Sequence, residues 1–375
     1  MMHNTNQARA IKRIAIIGGG LTAWTAAAAL AKAFGHSGIE LVVVESPQKN
    51  VHENCVATTP TCVAFHQWLG LAEQPLLKST GASYLLATRF KGWSSPQQDY
   101  FMPFGDHGFM LNRMEFPQYI AQRYLQGYDC QYDDYSLAAQ AAKLGRFCHP
   151  SAQASSLFST LSYGLSLNSH SYTQYLRDFA LHSGVKQLRA TIAQANINAE
   201  GYIESVSLVD EQNAAVNSAI FSTTNSTELN KDSLAADFFI DCTGAQAELI
   251  GKALNVPWQS PPQPSLFTHR LSIRKSNTHA DMLLPQRELR KAQAGFVQTL
   301  VTQTQTEQQY CYHADFISHE DALRELGADG IDTAEPIACP QGRRANFWHK
   351  NCVALGEAAG NFSTLAVGDL YLLHS

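Results

Sequence analysis

Ile14-Ala15-Ile16-Ile17-Gly18-Gly19-Gly20-Leu21-Thr22-Ala23-Trp24 is an apolar run that breaks on three glycines and resumes as an alanine-rich stretch. The run predicts a strand over residues 11–17, buried on both faces, because its apolar residues do not alternate with polar ones. Residues 21–34 predict a helix whose small side chains allow close packing on a sheet. Residues 39–45, Ile-Glu-Leu-Val-Val-Val-Glu, predict a second strand. A strand, a helix and a strand within about 35 residues make one parallel βαβ unit.

Within that unit, Gly18-x-Gly20-x-x-Ala23 has a chemical reading. The first glycine permits a tight turn, the second lets a pyrophosphate approach the backbone, and the small third residue lets helix and strand pack closely. The helix N-terminus then offers unpaired N–H groups and a positive dipole end. Glu45 closes the second strand, 22 residues after Ala23, where a carboxylate accepts hydrogen bonds from ribose hydroxyls. A bare glycine turn between ordinary elements is the alternative; the strand, the spacing and the acid together favour a dinucleotide.

Two distant stretches bear on which dinucleotide. Asp237-Phe238-Phe239-Ile240-Asp241-Cys242-Thr243-Gly244 and Cys352-Val353-Ala354-Leu355-Gly356-Glu357-Ala358-Ala359-Gly360 are further apolar runs that end on glycine. Small residues at 241–244 suit a chain passing under an adenine dinucleotide. An acid at Glu357 suits the ribityl hydroxyls of a flavin, whereas a nicotinamide dehydrogenase has no use for this late turn. Acids are also common at helix starts, which is the plain alternative for Glu357. The set favours FAD, and the predicted fold is α/β: an FAD-binding Rossmann-like domain of the glutathione-reductase type, with an inserted mixed α+β substrate lobe.

Composition sets the limits. With 375 residues, 45% hydrophobic and 16% charged, the chain can bury a large core. A net charge of −5 without a basic cluster argues against nucleic-acid binding. The eight cysteines contain no CxxC pair, so a reduced, cytoplasmic setting is expected. No metal site is expected, since His313 and His319 lack ligand spacing. Residues 1–10 are polar and expected to be disordered. They carry no signal peptide, and the alanine-rich helix is too short to cross a membrane.

The expected domain organisation is discontinuous. Residues 11–50, 166–255 and 344–375 form the FAD domain, and 51–165 with 256–343 form the inserted substrate and cover lobe. Helices are predicted over 116–126, 137–147, 169–183 and 320–326, and strands over 185–195, 202–209 and 236–242. Residues 211–233 read as a polar surface loop between two strands of a small flap. Residues 266–316 alternate and predict an antiparallel sheet.

The chain resembles the flavin-dependent tryptophan halogenases. Gly18-Gly19-Gly20-Leu21-Thr22-Ala23-Trp24 resembles their glycine-rich FAD motif, including the tryptophan. Ala57-Thr58-Thr59-Pro60, Phe239-Ile240-Asp241-Cys242-Thr243-Gly244 and Asn351-Cys352-Val353-Ala354-Leu355-Gly356 resemble three more family segments. The resemblance implies FAD contacts at Gly18, Gly20, Leu21, Thr22, Ala23, Trp24, Glu45, Ala57, Ile192, Gly244, Gly356 and Glu357. It implies a separate flavin reductase as partner, a small aromatic substrate, and oxygenation through a flavin hydroperoxide.

Departures from the family pattern bear on catalysis. The family carries a lysine in a Gly-Ala-Phe-Lys segment; the matching stretch is Gly81-Ala82-Ser83-Tyr84, and neither Lys78 nor Lys91 fits the motif. A Trp-x-Trp-x-Ile-Pro motif falls on Phe296-Val297-Gln298-Thr299-Leu300-Val301. Ungapped from Gly356, Ala366 takes the position of the family glutamate. The family continues into a long helical substrate region, where this sequence stops at Leu370-Tyr371-Leu372-Leu373-His374-Ser375. A shorter protein with a different lid and a truncated chain both remain open. Three functions follow: an FAD-dependent monooxygenase or atypical halogenase, a non-catalytic relative that binds flavin, and, disfavoured by Gly356-Glu357, a nicotinamide dehydrogenase.

Overall fold

The computed structural model describes residues 10–47, 54–111, 113–209, 233–262, 265–277, 283–327 and 335–362. Residues 1–9 of the expected disordered N-terminus (1–10), residues 211–232 of the expected polar loop (211–233) and Ala366 lie outside the described residues. Two compact units emerge: described residues within 1–52, 173–260 and 342–362 form the first, and those within 53–172 and 261–341 the second.

The first unit is built on a six-stranded sheet. Its order is Trp348–His349, Cys352–Ala354, Phe238–Asp241, Arg13–Ile17, Glu40–Glu45, Lys186–Arg189. All pairings are parallel except that of Trp348–His349. The three glycine-ended runs therefore lie on neighbouring strands and run the same way. Ile14, Ala15, Ile16 and Ile17 are all buried, as a central parallel strand requires. Helix Leu21–Phe34 buries Ala23, Trp24, Ala27, Ala28 and Ala31. Four alanines on one face let the helix lie close to the sheet, and Trp24 fills the remaining space at 0% exposure.

Residues 185–195 form two strands rather than one. The chain breaks at Ala190, whose N–H donates to Glu45 O at 3.0 Å. Lys186–Arg189 stays in the parallel sheet, while Thr191–Ile197 pairs with Ile203–Val209, which pairs in turn with Ser233–Ala235. Asn351 fastens this flap: its side chain accepts from Ile203 N (3.0 Å) and donates to Ile203 O (2.8 Å) and Asp237 O (3.2 Å).

The second unit holds a seven-stranded sheet in the order Ile337–Ala338, His269–Ser276, Gln305–Tyr312, Gly295–Val301, Gln286–Ala292, Ala87–Ser95, Gln98–Pro103. The alternation at 266–316 supplies its antiparallel centre. Ala87–Ser95 joins in parallel with Gln286–Ala292. One sheet face packs Leu271, Ile273, Val297, Tyr310 and Tyr312 against helix His319–Leu326. Helices Phe116–Leu125 and Leu137–Lys143 form close to the predicted positions. Helices Pro60–Leu69 and Glu73–Thr80 arise where the aromatic-rich sequence showed no clear period.

Candidate functional site

The three glycine turns converge at one end of the parallel sheet. Gly18 has φ +128°, and a Cβ there would lie 2.3 Å from Cys242 O. A Cβ on Gly19 would lie 2.2 Å from Glu45 Cγ. The third turn closes in from the other side: a Cβ on Gly356 would lie 2.7 Å from Thr22 Oγ1, and one on Gly244 would lie 3.7 Å from Glu357 Oε2. Backbone bonds lock the arrangement, from Gly18 N to Val44 O (2.8 Å), Cys242 N to Ile17 O (2.8 Å) and Leu355 N to Asp241 O (2.9 Å).

Gly20 differs from its neighbours. Its backbone is extended, and a Cβ there would meet nothing within 4 Å. As N-cap it gives helix Leu21–Phe34 no side-chain cap, so no capping side chain offsets the positive helix end at the first-turn N–H groups. Glu45 flanks this space. Its Oε2 accepts from Gln187 Nε2 at 2.6 Å, a partner that belongs to no motif. Its other oxygen lies toward the Gly19 turn. An uncapped helix start, an open glycine and an adjacent carboxylate fit the pyrophosphate and ribose of a dinucleotide.

The remaining expected contacts divide by burial. Ala23 and Trp24 are wholly buried behind the turn, so they shape it by packing. Leu21 and Thr22 are half-buried in the first helical turn. Ile192 packs against the core beside Leu188 and Ala195. Ala57 belongs to the second unit, on strand Cys55–Ala57.

Asp241 has a role that its motif did not reveal. Wholly buried, its Oδ1 accepts from Thr243 N (3.0 Å) and Thr243 Oγ1 (2.6 Å), and its Oδ2 from Leu249 N (2.9 Å) and Ile250 N (2.8 Å). The carboxylate satisfies the start of the π-helix Glu248–Ala253, which follows the left-handed residue Ala247. It therefore fixes the path of the chain around Gly244.

In the second unit, Tyr84 lies on strand Ser83–Leu85 in an aromatic cluster. Its ring stacks on Phe147 at 3.7 Å and meets His149 and Tyr163 edge-on. Its hydroxyl donates to Glu73 Oε1 at 2.7 Å; Tyr163 donates to Glu73 Oε2, and His149 Nε2 lies 2.7 Å from Oε1. Burial would raise the Glu73 carboxyl, but bonds from Tyr163, His149 and Tyr84 outweigh it and hold the group below the ordinary carboxylate range. Burial and then the Glu73 bond push both phenols well up, so both are neutral. Glu73, His149 and Tyr163 escaped sequence reasoning because they come from three separate segments.

None of the eight cysteines forms a disulfide. Cys62 lies 3.5 Å from His66 Nε2, the spacing of an activated thiol, yet burial pushes the thiol up to about 12 and keeps it neutral. No described helix is long and apolar enough to cross a membrane.

A parallel sheet with a glycine-rich first turn, an acid closing the second strand and two further turns at the same end defines an α/β dinucleotide-binding protein of the Rossmann-like class. The tryptophan halogenase family profile matches residues 13–375, so the chain belongs to the tryptophan halogenase family. A flavin cofactor follows from that membership. Among curated relatives, tryptophan 7-halogenase KtzQ of Kutzneria sp. (strain 744) is 25% identical over 394 residues, covering 97% of this chain and 68% of the relative. Among solved structures, BrvH, a flavin-dependent halogenase from Brevundimonas sp. BAL3, superposes with a TM-score of 0.85 at 27% identity, over 97% of this chain and 70% of that one. Xcc4156, a flavin-dependent halogenase from Xanthomonas campestris, gives 0.81 at 26% identity, over 95% and 67%.

Proposed function

We propose that this protein is an FAD-dependent oxidoreductase that acts on a small aromatic substrate as a monooxygenase or halogenase, with reduced flavin supplied by a separate reductase. The observation that carries the proposal is the convergence of the Gly18–Gly20, Gly244 and Gly356 turns. In this reading the N–H groups after Gly20 bind the pyrophosphate, Glu45 takes the ribose hydroxyls, and Glu357 takes the ribityl chain. Bound reduced FAD supplies the electrons that activate oxygen. Eight cysteines without a disulfide suit a cytoplasmic setting.

A second reading, a relative that binds flavin without halogenating, draws on Tyr84. At the position of the family lysine stands a neutral phenol already bonded to Glu73, which has no amine to carry a halogen.

A visible spectrum of the protein with added FAD tests the proposal. A bound-flavin spectrum, with faster reoxidation of reduced flavin in air, is expected. Glu45→Ala should weaken FAD several-fold, roughly the 1 kcal/mol of a lost hydrogen bond or more. No flavin uptake by the unaltered protein would end the proposal. Unchanged affinity in Glu45→Ala would remove that residue from the site.

A further inference from the structure

We propose that Gln187 is a positioning residue for the dinucleotide site: it fixes the Glu45 carboxylate, still charged, to receive the two hydroxyls of the adenosine ribose. The role rests on the flavin reading above, and adds to it a residue from outside the glycine-rich βαβ unit.

Gln187 lies on Lys186–Arg189, the edge strand of the parallel sheet, which pairs with Glu40–Glu45. Its side chain reaches the end of that neighbouring strand, where Nε2 donates to Glu45 Oε2 at 2.6 Å. The backbone is fastened at the same level. Glu45 O accepts from Ala190 N at 3.0 Å, and the Ser46 and Thr191 hydroxyls are bonded at 2.8 Å. Gly19 adjoins the other carboxylate oxygen, since a Cβ there would lie 2.7 Å from Glu45 Oε1. The carboxylate is thus confined between an amide donor and a glycine turn.

An amide suits this task better than a cation. Among the described residues Gln187 is the one side chain bonded to the Glu45 carboxylate, and no lysine or arginine pairs with it, although Arg189 stands level with it in the strand pairing. A cation would occupy the carboxylate with charge-assisted bonds that a ribose hydroxyl would have to displace. A neutral amide takes up one acceptor position of Oε2 and leaves the rest of the carboxylate, with its charge, open to hydroxyl donors. It also removes in advance the rotamer freedom that an unrestrained glutamate would lose on binding.

Fluorescence titration tests this with two ligands: FAD, and an analogue whose adenosine lacks the 2′ and 3′ hydroxyls. Gln187→Met keeps the length of the side chain and removes the donor. The variant should bind FAD about five- to tenfold more weakly, and the analogue less than about twofold more weakly. A residue that only supports the strand would weaken both ligands alike. That result, or unchanged FAD affinity, would overturn the role of Gln187 and leave the flavin reading standing. No uptake of either ligand by the unaltered protein would end the flavin reading and this role with it. If Gln187→Met fails to fold, a crystal structure of the unaltered protein with FAD decides. Gln187 still bonded to a Glu45 that holds the ribose supports the proposal; a Glu45 that reaches the ribose only by leaving Gln187 refutes it.

Discussion

Two carboxylates show how much one side chain can organise. Asp241 is wholly buried and accepts four hydrogen bonds, three of them from backbone N–H groups. Removing it strands those donors away from water, so Asp241→Ala should cost about 3 kcal/mol or more. A urea denaturation midpoint gives the number, and a loss under about 1 kcal/mol would mean that water replaces the carboxylate. Glu73 makes a prediction about pH. Its folded-state carboxyl lies below the ordinary value of 4.5, against burial, through bonds from Tyr163, His149 and Tyr84. A depressed carboxyl stabilises the fold fully above its unfolded value and loses that contribution as pH falls through the folded one. The protein should therefore exceed Glu73→Gln in stability at neutral pH, with the gap closing below about 4.5. A gap that persists unchanged into acid would assign the effect to packing.

At the scale of elements, the first turn separates folding from binding. Gly18 is needed by the chain itself: its φ is +128°, and a Cβ would sit 2.3 Å from Cys242 O. Gly18→Ala should lower stability by about 1–3 kcal/mol or shift the Asp241–Gly244 strand end. Gly20 has an ordinary extended backbone and free space around its Cα. Gly20→Val should fold normally, yet lose FAD, because its side chain fills the approach to the helix N-terminus. Circular dichroism and flavin titration on the two variants read these separately; FAD binding retained by Gly20→Val would move the pyrophosphate elsewhere. This turn was legible in the sequence because its signals are local. A helix read over 21–34 is observed as Leu21–Phe34, and a strand read over 39–45 as Glu40–Glu45. The break at Ala190 was not legible, since one continuous strand-like stretch serves two sheets, with Ala190, bonded to Glu45 O, between them. The pairing of Ala87–Ser95 with Gln286–Ala292 escaped for a related reason: its partner is almost 200 residues away (Arg287 with Thr88, 199).

For the whole molecule, dinucleotide-type geometry in the first unit coexists in the second with Tyr84, which the proposed alignment sets at the position of the family lysine. The glycine turns, Glu45 and Glu357 could be found from the sequence because spacing along parallel strands determines which end they share. The Glu73 cluster could not, because its chemistry comes from packing a helix start, a strand and a loop together. That packing bears on what Tyr84→Lys would do. The new ammonium would lie where the Tyr84 hydroxyl now donates to Glu73 at 2.7 Å, beside His149 and Tyr163. An adjacent carboxylate favours the charged form of an amine, and a protonated amine offers no lone pair to a halogen. The ungapped alignment proposed from Gly356 also puts Ala366, not an acid, at the position of the family glutamate. Tyr84→Lys alone should therefore yield no chlorinated or brominated product when the protein is supplied with FAD, a reductase, oxygen, halide and tryptophan, while its flavin affinity stays unchanged. Mass spectrometry of the reaction mixture checks the outcome. Halogenated product from this single variant would show that Glu73 does not hold the amine in its charged form, and that the acid is supplied from a position other than 366.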